Sequence, residues 1–392
     1  MKMEAFYSNN IKNAIQNDPP GEWMPYIPAD CIRLSSGFPA PSLVPVKQLK
    51  ESVGQLLDEE QDLPLHYLGT PKMDQLKQQI IERLDEREMK FAMEEVLVTA
   101  GACQAIDLIA RIFIDEDTVV AVESPTYMEA LEIFQNYTNS FMEIPIDEDG
   151  LQTEKLEDLL TERQGNGLPL PKVLYTIPTF HNPTGTTLTA ERRTHLLKLA
   201  TQFDFLIVED DAYGDLYFDD QPTPLKVFDK DGRVLYLGSF SKVVAPGLRI
   251  GWVAATKEII ETLFWFKKDL DHPFAQAVMS TYLRDYPLKK QLSLLHKSYK
   301  EKCDSMIDAL AKYMPDSVSW YVPRGGYFVW MKVPGEDTSK LLEQATQKGV
   351  SFLPGKYFFL NQQDGKEWLR LSFSYEEPTA IVDGVKKLSE II

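Results

Sequence analysis

Cysteine is scarce in this chain and follows no pattern. Cys31, Cys103 and Cys303 are odd in number, far apart and outside any CxxC pair. That excludes a disulfide framework and a zinc site built on paired cysteines, and it points to a reducing compartment. Long apolar runs are missing too: nothing approaches the ~18 residues of a membrane span. The opening "MKMEAFYSNNIKNAIQNDPP" has no signal-like apolar stretch, so a cytoplasmic protein with no membrane partner is expected. Positive charge is in deficit, with 41 Lys and Arg against 59 Asp and Glu, a net charge of −18. Such a surface repels phosphate backbones, which argues against a nucleic-acid partner while leaving room for a local cationic pocket. Neither GxGxxG nor GxxxxGK[ST] occurs, which removes the usual nucleotide-binding loops. Histidine is sparse, and His181 has no metal-ligand spacing around it, so no metal is expected and His181 is read as a loop or pocket-wall residue.

What is present is alternation. "EVLVTA", "TVVAVESP", "KVLYTIP", "DFLIVEDD", "RVLYLGSF" and "RIGWVAA" are apolar runs of strand length, most of them separated by helical patterns such as "CQAIDLIARIF" and "TAERRTHLLKLATQF". Continuous apolar strands between helices predict an α/β fold with a mostly parallel sheet flanked by helices on both faces. The last hundred or so residues change character. "VSWYVPRGGYFVWMKV" reads as two strands around a Gly-Gly turn, "TSKLLEQATQKG" as a helix, "VSFLPG" and "WLRLSFS" as short strands, and "PTAIVDGVKKLSEII" as a closing helix. The expected division is an N-terminal segment (1–44), a large domain (45–288) and a smaller α+β C-terminal domain (289–392).

Ligands of open parallel sheets bind beyond the carboxyl ends of the strands. The polar residues fall there: Gly101-Ala102-Cys103 after "VLVTA", Tyr127 after "VAVESP", Asn182 after "LYTIP", Asp210 to Tyr213 after "LIVED", and Ser239 to Lys242 after "VLYLG". Each alone has an ordinary explanation: "NPTG" as a turn, "EDDAY" as a helix start, Lys242 as a solvated amine. Together they match one ligand group by group. The Gly101-Ala102-Cys103 turn offers free amides at a helix start to a phosphate, joined by Ser239, Ser241 and the Arg249 fork. Asp210 is the carboxylate for a protonated ring nitrogen. Asn182 and Tyr213 supply donors to a ring oxygen, and Tyr127 gives a flat face to pack on. Lys242 is the amine that condenses with an aldehyde. The ligand so described is pyridoxal 5′-phosphate.

In "NPTG", "EDDAY", "SFSKVVAPGLRIGW" and the late "LRLSFS", the chain resembles the class I/II aminotransferases, fold type I of the pyridoxal-phosphate enzymes, from about residue 30 onward. It is most similar to the branch holding 2-aminoadipate and kynurenine aminotransferases and the aminotransferase-like domains of MocR-type regulators. The resemblance implies an enzyme that moves the amino group of an L-amino acid to a 2-oxo acid by a ping-pong route. It implies that Lys242 carries the cofactor and shuttles the substrate proton, and that Asp210 keeps the ring nitrogen protonated. Arg370 would grip the substrate α-carboxylate with Asn182 beside it, and Gly37 would lie in the N-terminal segment that closes over the substrate. Tyr67 would reach the partner subunit's phosphate, which implies a homodimer with shared sites. The chain departs from the family at Leu68 and Lys72, where glycines are usual, and at Cys103, where the family often carries glutamine. Other chemistry on the same cofactor, β-elimination or decarboxylation, is left open by these residues. A regulator role is disfavoured, because the stretch before "RLSSGFP" is too short for a winged helix-turn-helix. Phe38, Tyr327, Tyr357 and Phe358 are candidates for an apolar substrate pocket or for core, and Arg324 reads as a turn residue.

Overall fold

The computed structural model describes residues 3–15, 17, 21, 26–67, 69–268 and 272–392, so Leu68 lies outside the described residues. The strands are β1 (Ile32–Arg33), then β2 (Val96–Thr99), β3 (Val120–Ser124), β4 (Phe141–Asp147), β5 (Gly150–Leu151), β6 (Val173–Thr176), β7 (Leu206–Asp210), β8 (Val234–Ser239) and β9 (Gly251–Ala254). After them come β10 (Ser319–Trp320), β11 (Phe328–Lys332), β12 (Val350–Ser351), β13 (Leu353–Pro354) and β14 (Trp368–Ser372). Helices α1 (Asn9–Ala14), α2 (Val46–Glu60) and α3 (Pro71–Asp85) precede β2. Between the strands of the larger sheet run α4 (Ala102–Phe113), α5 (Met128–Gln135), α6 (Thr153–Gly165), α7 (Ala190–Phe203) and α8 (Leu225–Phe228). The chain continues through α9 (Lys257–Lys267), α10 (Pro273–Asp285) and α11 (Leu288–Tyr313) to the smaller sheet, which carries α12 (Thr338–Gln347) and α13 (Pro378–Ser389).

The larger sheet has the order β2-β9-β8-β7-β6-β3-β4-β5. Its centre is parallel, as the continuous apolar runs require: β4, β3, β6, β7 and β8 pair in that sense. Every residue of β6 and β8 is buried, because helices cover both faces. The edges are the antiparallel part of this mostly parallel sheet. β9 runs antiparallel to β8 and to β2, and β5 antiparallel to β4. The reason for β9 is the connection: the Phe240–Ile250 stretch holds only the 3-10 turn Pro246–Leu248, too short to cross back over the sheet as a parallel partner would need. β2 then runs in the same direction as β8, and its carboxyl end reaches the same edge.

From β3 the chain goes to β4 on one side and, through α6, to β6 on the other. The order therefore reverses at β3, the kind of point where a crevice opens outside the strand ends. The smaller sheet, β10-β11-β14-β13, is antiparallel, and β1 pairs with β12 beside it. A hydrophobic cluster runs without interruption from Val98 and Tyr236 of the larger sheet to Val329 and Leu371 of the smaller one, so the crevice between them has a packed floor. Among the described residues no helix is long and apolar enough to cross a membrane, and no group of His, Cys, Asp and Glu could hold a metal.

Candidate active site

One cavity of about 660 Å³ opens at that strand edge, between the two sheets. Its wall includes Gly37, Ala102, Cys103, Tyr127, Asn182, Asp210, Tyr213, Ser239, Ser241, Lys242, Arg249 and Arg370. Gly101 is not part of the wall but adjoins Ala102 and lies against Arg249, which are. Of the residues the resemblance gives to the cofactor, Tyr67 is not brought here: it is fully exposed on the outside of the chain.

The helix α4 begins at Ala102, so the amides of its first turn have no partner within the helix. Gly101 precedes it at φ +86°, and a Cβ there would come within 2.4 Å of the Arg249 guanidinium. Only glycine fits, both in conformation and in space. Arg249 itself adopts φ +53° and donates from Nη2 to the Ala100 carbonyl at 3.2 Å. Ser239 ends β8; its Oγ donates to Ser241 Oγ at 2.8 Å and accepts the Ser241 amide at 3.0 Å. Amides, hydroxyls and a guanidinium thus collect at one helix start, a donor set suited to a phosphate.

Asp210 closes β7 and is buried. It accepts the Tyr175 hydroxyl at 2.7 Å on Oδ2 and the Ala212 amide at 3.3 Å on Oδ1. Burial pushes its carboxyl up to about 6 against the relief of those bonds. A protonated ring nitrogen is the kind of cation such a carboxylate lacks. No helix starts in "EDDAY", the ordinary explanation weighed for that stretch alone; the segment after Asp210 is a turn, and Asp211 pairs with Arg87 and accepts the Tyr236 hydroxyl at 2.7 Å.

The Lys242 amine donates to the Gly37 carbonyl at 2.9 Å and stands 5.5 Å from the centre of the Tyr213 ring and 5.8 Å from that of Tyr327. Burial, with the Arg370 charge second, lowers its pKa to about 8, so a sizeable share is neutral near neutral pH. Arg370 lies on β14, buried, with Nη1 donating to Asn182 Oδ1 at 2.9 Å and Nη2 to the Ser35 carbonyl at 3.0 Å. Its Nε has no partner, and burial lowers its pKa to about 10. A buried, unneutralised guanidinium fixed by neutral acceptors is set to take a carboxylate.

Several residues in or behind the cavity wall gave no sign in the sequence. Tyr175 is an inner-strand residue whose partner Asp210 is on the next strand. Glu129 sits two residues past Tyr127 and receives its hydroxyl. Arg33 of β1 lies against the Tyr375 ring at 5.8 Å. Of the aromatic candidates, Phe38 lines the cavity, whereas Tyr327 and Phe358 are core and Tyr357 packs beside Phe358. Tyr327 does act on the site from behind, donating to the Lys242 carbonyl at 3.0 Å. Arg324 is exposed in its turn, and His181 is buried in its loop, 3.0 Å from Glu123 and bonded to Thr184 at 2.9 Å.

A crevice lysine, a buried carboxylate at a strand end and a helix-start donor set, on this sheet topology, define the fold type I architecture of the pyridoxal-phosphate enzymes. The chain belongs to the aminotransferase class I and II family, whose model matches residues 29–382, and it is an aminotransferase. Aromatic-amino-acid aminotransferase 1 of Thermococcus litoralis is 40 % identical over 370 residues, 93 % of this chain and 88 % of that protein. The crystal structure of a multiple substrate aminotransferase from Thermococcus profundus superposes with a TM-score of 0.91 at 36 % identity, covering 100 % of this chain and 98 % of that one. The Pyrococcus horikoshii kynurenine aminotransferase, solved in complex with PMP, KYN and KYA, gives 0.90 at 35 % identity, covering 100 % and 97 %.

Proposed function

We propose that the cavity binds pyridoxal 5′-phosphate and that the enzyme passes the α-amino group of an aromatic or apolar L-amino acid to a 2-oxo acid, working as a cytoplasmic homodimer. The observation that carries this reading is the joint presence, on one cavity wall, of the Lys242 amine, the Asp210 carboxylate and the free amides of α4. When bound, the cofactor supplies an aldehyde that takes up the amino group and a ring that draws electrons from the substrate Cα. The chain supplies the rest. Ala102, Cys103, Ser239, Ser241 and Arg249 hold the phosphate; Asp210 keeps the ring nitrogen protonated; Tyr127 packs on the ring; Asn182 and Tyr213 orient its oxygen. Arg370 fixes the α-carboxylate and so turns the Cα–H bond toward Lys242, whose amine takes that proton and returns it. The segment through residue 44, held by the Gly37 and Ser35 carbonyl contacts, covers the substrate, with the domains dividing at 45–288 and 289–392. The apolar wall of Ile27, Phe38, Met128 and Leu353 favours an apolar side chain. The cysteines are free, which suits a reducing compartment.

The test is the visible spectrum of the protein loaded with cofactor. The wild type is expected to show a lysine-linked band that an aromatic amino acid bleaches, and Lys242→Ala is expected to lack both band and turnover. Absence of any band in the wild type after incubation with pyridoxal phosphate would sink the reading.

A further inference from the structure

Besides Asp210, the cavity wall carries, among the described residues, one more carboxylate, Glu129, for which the reaction just described has no use. It sits in the first turn of α5, where the helix start favours negative charge. Its Oε2 accepts two hydrogen bonds, from the Tyr127 hydroxyl and, at 3.2 Å, from the Cys103 thiol. The two donors come from different elements: Tyr127 is the cap residue of α5, and Cys103 is in the first turn of α4. Both also line the cavity. Burial and the Glu129 charge push the Cys103 thiol up to about 12 and hold the Tyr127 phenol well above its ordinary range, so both keep their hydrogens and remain donors. Hydrogen bonds to an ionised acceptor are the stronger kind. A tyrosine ring turns about its side-chain torsions, and an anchored hydroxyl is what stops it.

We propose that Glu129 is a positioning residue: by accepting the Tyr127 hydroxyl and the Cys103 thiol together, it locks the Tyr127 ring in the plane on which the cofactor packs. This rests on the cofactor reading above. It also gives Cys103 a role, since a thiol is small enough to leave room for the carboxylate at the start of α4. The charged groups around Lys242 are Arg370, Glu129 and Asp210, with the Cys103 thiol and the Tyr213 and Tyr327 rings. Of these Glu129 opposes Arg370, so removing its charge makes the amine less basic.

The experiment measures cofactor dissociation constants and the induced circular dichroism of the bound cofactor for wild type, Glu129→Ala, Glu129→Gln, Tyr127→Phe and the Glu129→Ala/Tyr127→Phe double variant. Glu129→Ala and Tyr127→Phe are each expected to weaken binding roughly tenfold. The double variant should be no worse than either single one, because both break the same bond. Glu129→Gln, which keeps an acceptor, should recover most of the affinity and the dichroic band while its apo lysine titrates at lower pH. Unchanged affinity and dichroism in Glu129→Ala would overturn the proposal, as would losses that multiply in the double variant. If Glu129→Ala does not fold, the Tyr127→Phe and Glu129→Gln pair decides: equal loss in both, without recovery by glutamine, also overturns it. A wild type that binds no cofactor overturns the reading beneath it instead.

Discussion

Asp210 sits enclosed with two donors, and burial outweighs the pull of the Lys242 charge, which has a consequence for stability. Its carboxyl rises from the ordinary 3.8 to about 6 in the fold, so the folded chain holds this proton more tightly than the unfolded one. The sign follows: the contribution of this group is most favourable below pH 3.8, falls as pH rises toward about 6, and stays low above it. The shift corresponds to about 3 kcal/mol above pH 6. Asp210→Asn should therefore raise the melting temperature of the cofactor-free protein at pH 7.5 by a few degrees. The same variant should lose at least ~100-fold in kcat once loaded, because the ring nitrogen has lost its counter-charge. Calorimetry of the apo protein beside steady-state turnover checks both halves, and a variant that is both less stable and fully active would refute the assignment. Lys242 gives a second residue-scale expectation. With its pKa lowered to about 8, the neutral amine grows with pH up to that value and is dominant beyond it. Stopped-flow uptake of pyridoxal phosphate by the apo protein should quicken about tenfold per pH unit below 8 and level off above it.

At the scale of elements, the phosphate donor set depends on one backbone geometry, the turn from β2 into α4. Gly101→Ala would force a side chain into a left-handed conformation and drive the Arg249 guanidinium away. The expected result is a loss of about 1–2 kcal/mol in stability and at least a tenfold fall in cofactor affinity, read by fluorescence titration. The turn was legible in the sequence because everything that makes it is local: an apolar strand, a glycine, then a helical pattern. The same holds for β6, β7 and β8 and for the residues at their ends. What was not legible depends on remote pairings. Arg370 meets Asn182 across 188 positions of sequence, which the family likeness supplied and spacing could not. Glu129 drew no notice in the sequence because nothing nearby in it reveals that Cys103 faces it. The antiparallel run of β9 is set by the length of a connection, which apolar patterning does not encode.

For the whole molecule, the open question is what covers its exposed apolar side chains. Trp265 is 78 % exposed, Phe264 57 % and Leu65 65 %, and Tyr67 stands free beside Leu65. Contiguous exposed apolar side chains mark an interaction surface, and Phe264 and Trp265 are neighbours on one helix. The first two lie on α9 and the latter two follow α2 around the 3-10 turn Leu63–Leu65, which packs beside α10. A second copy of the chain is the partner proposed above, and the role expected of Tyr67 makes a distinct prediction. If Tyr67 completes the neighbouring site, separating the subunits must weaken cofactor binding although no residue of the cavity has changed. Trp265→Glu should shift the protein from dimer to monomer by light scattering and lower cofactor affinity by about tenfold or more, the loss of a hydrogen bond to a charged group. Tyr67→Phe should leave the dimer intact and reproduce the affinity loss. A Trp265→Glu monomer with wild-type affinity would mean that one chain builds the whole site, and Tyr67 would then have no part in it.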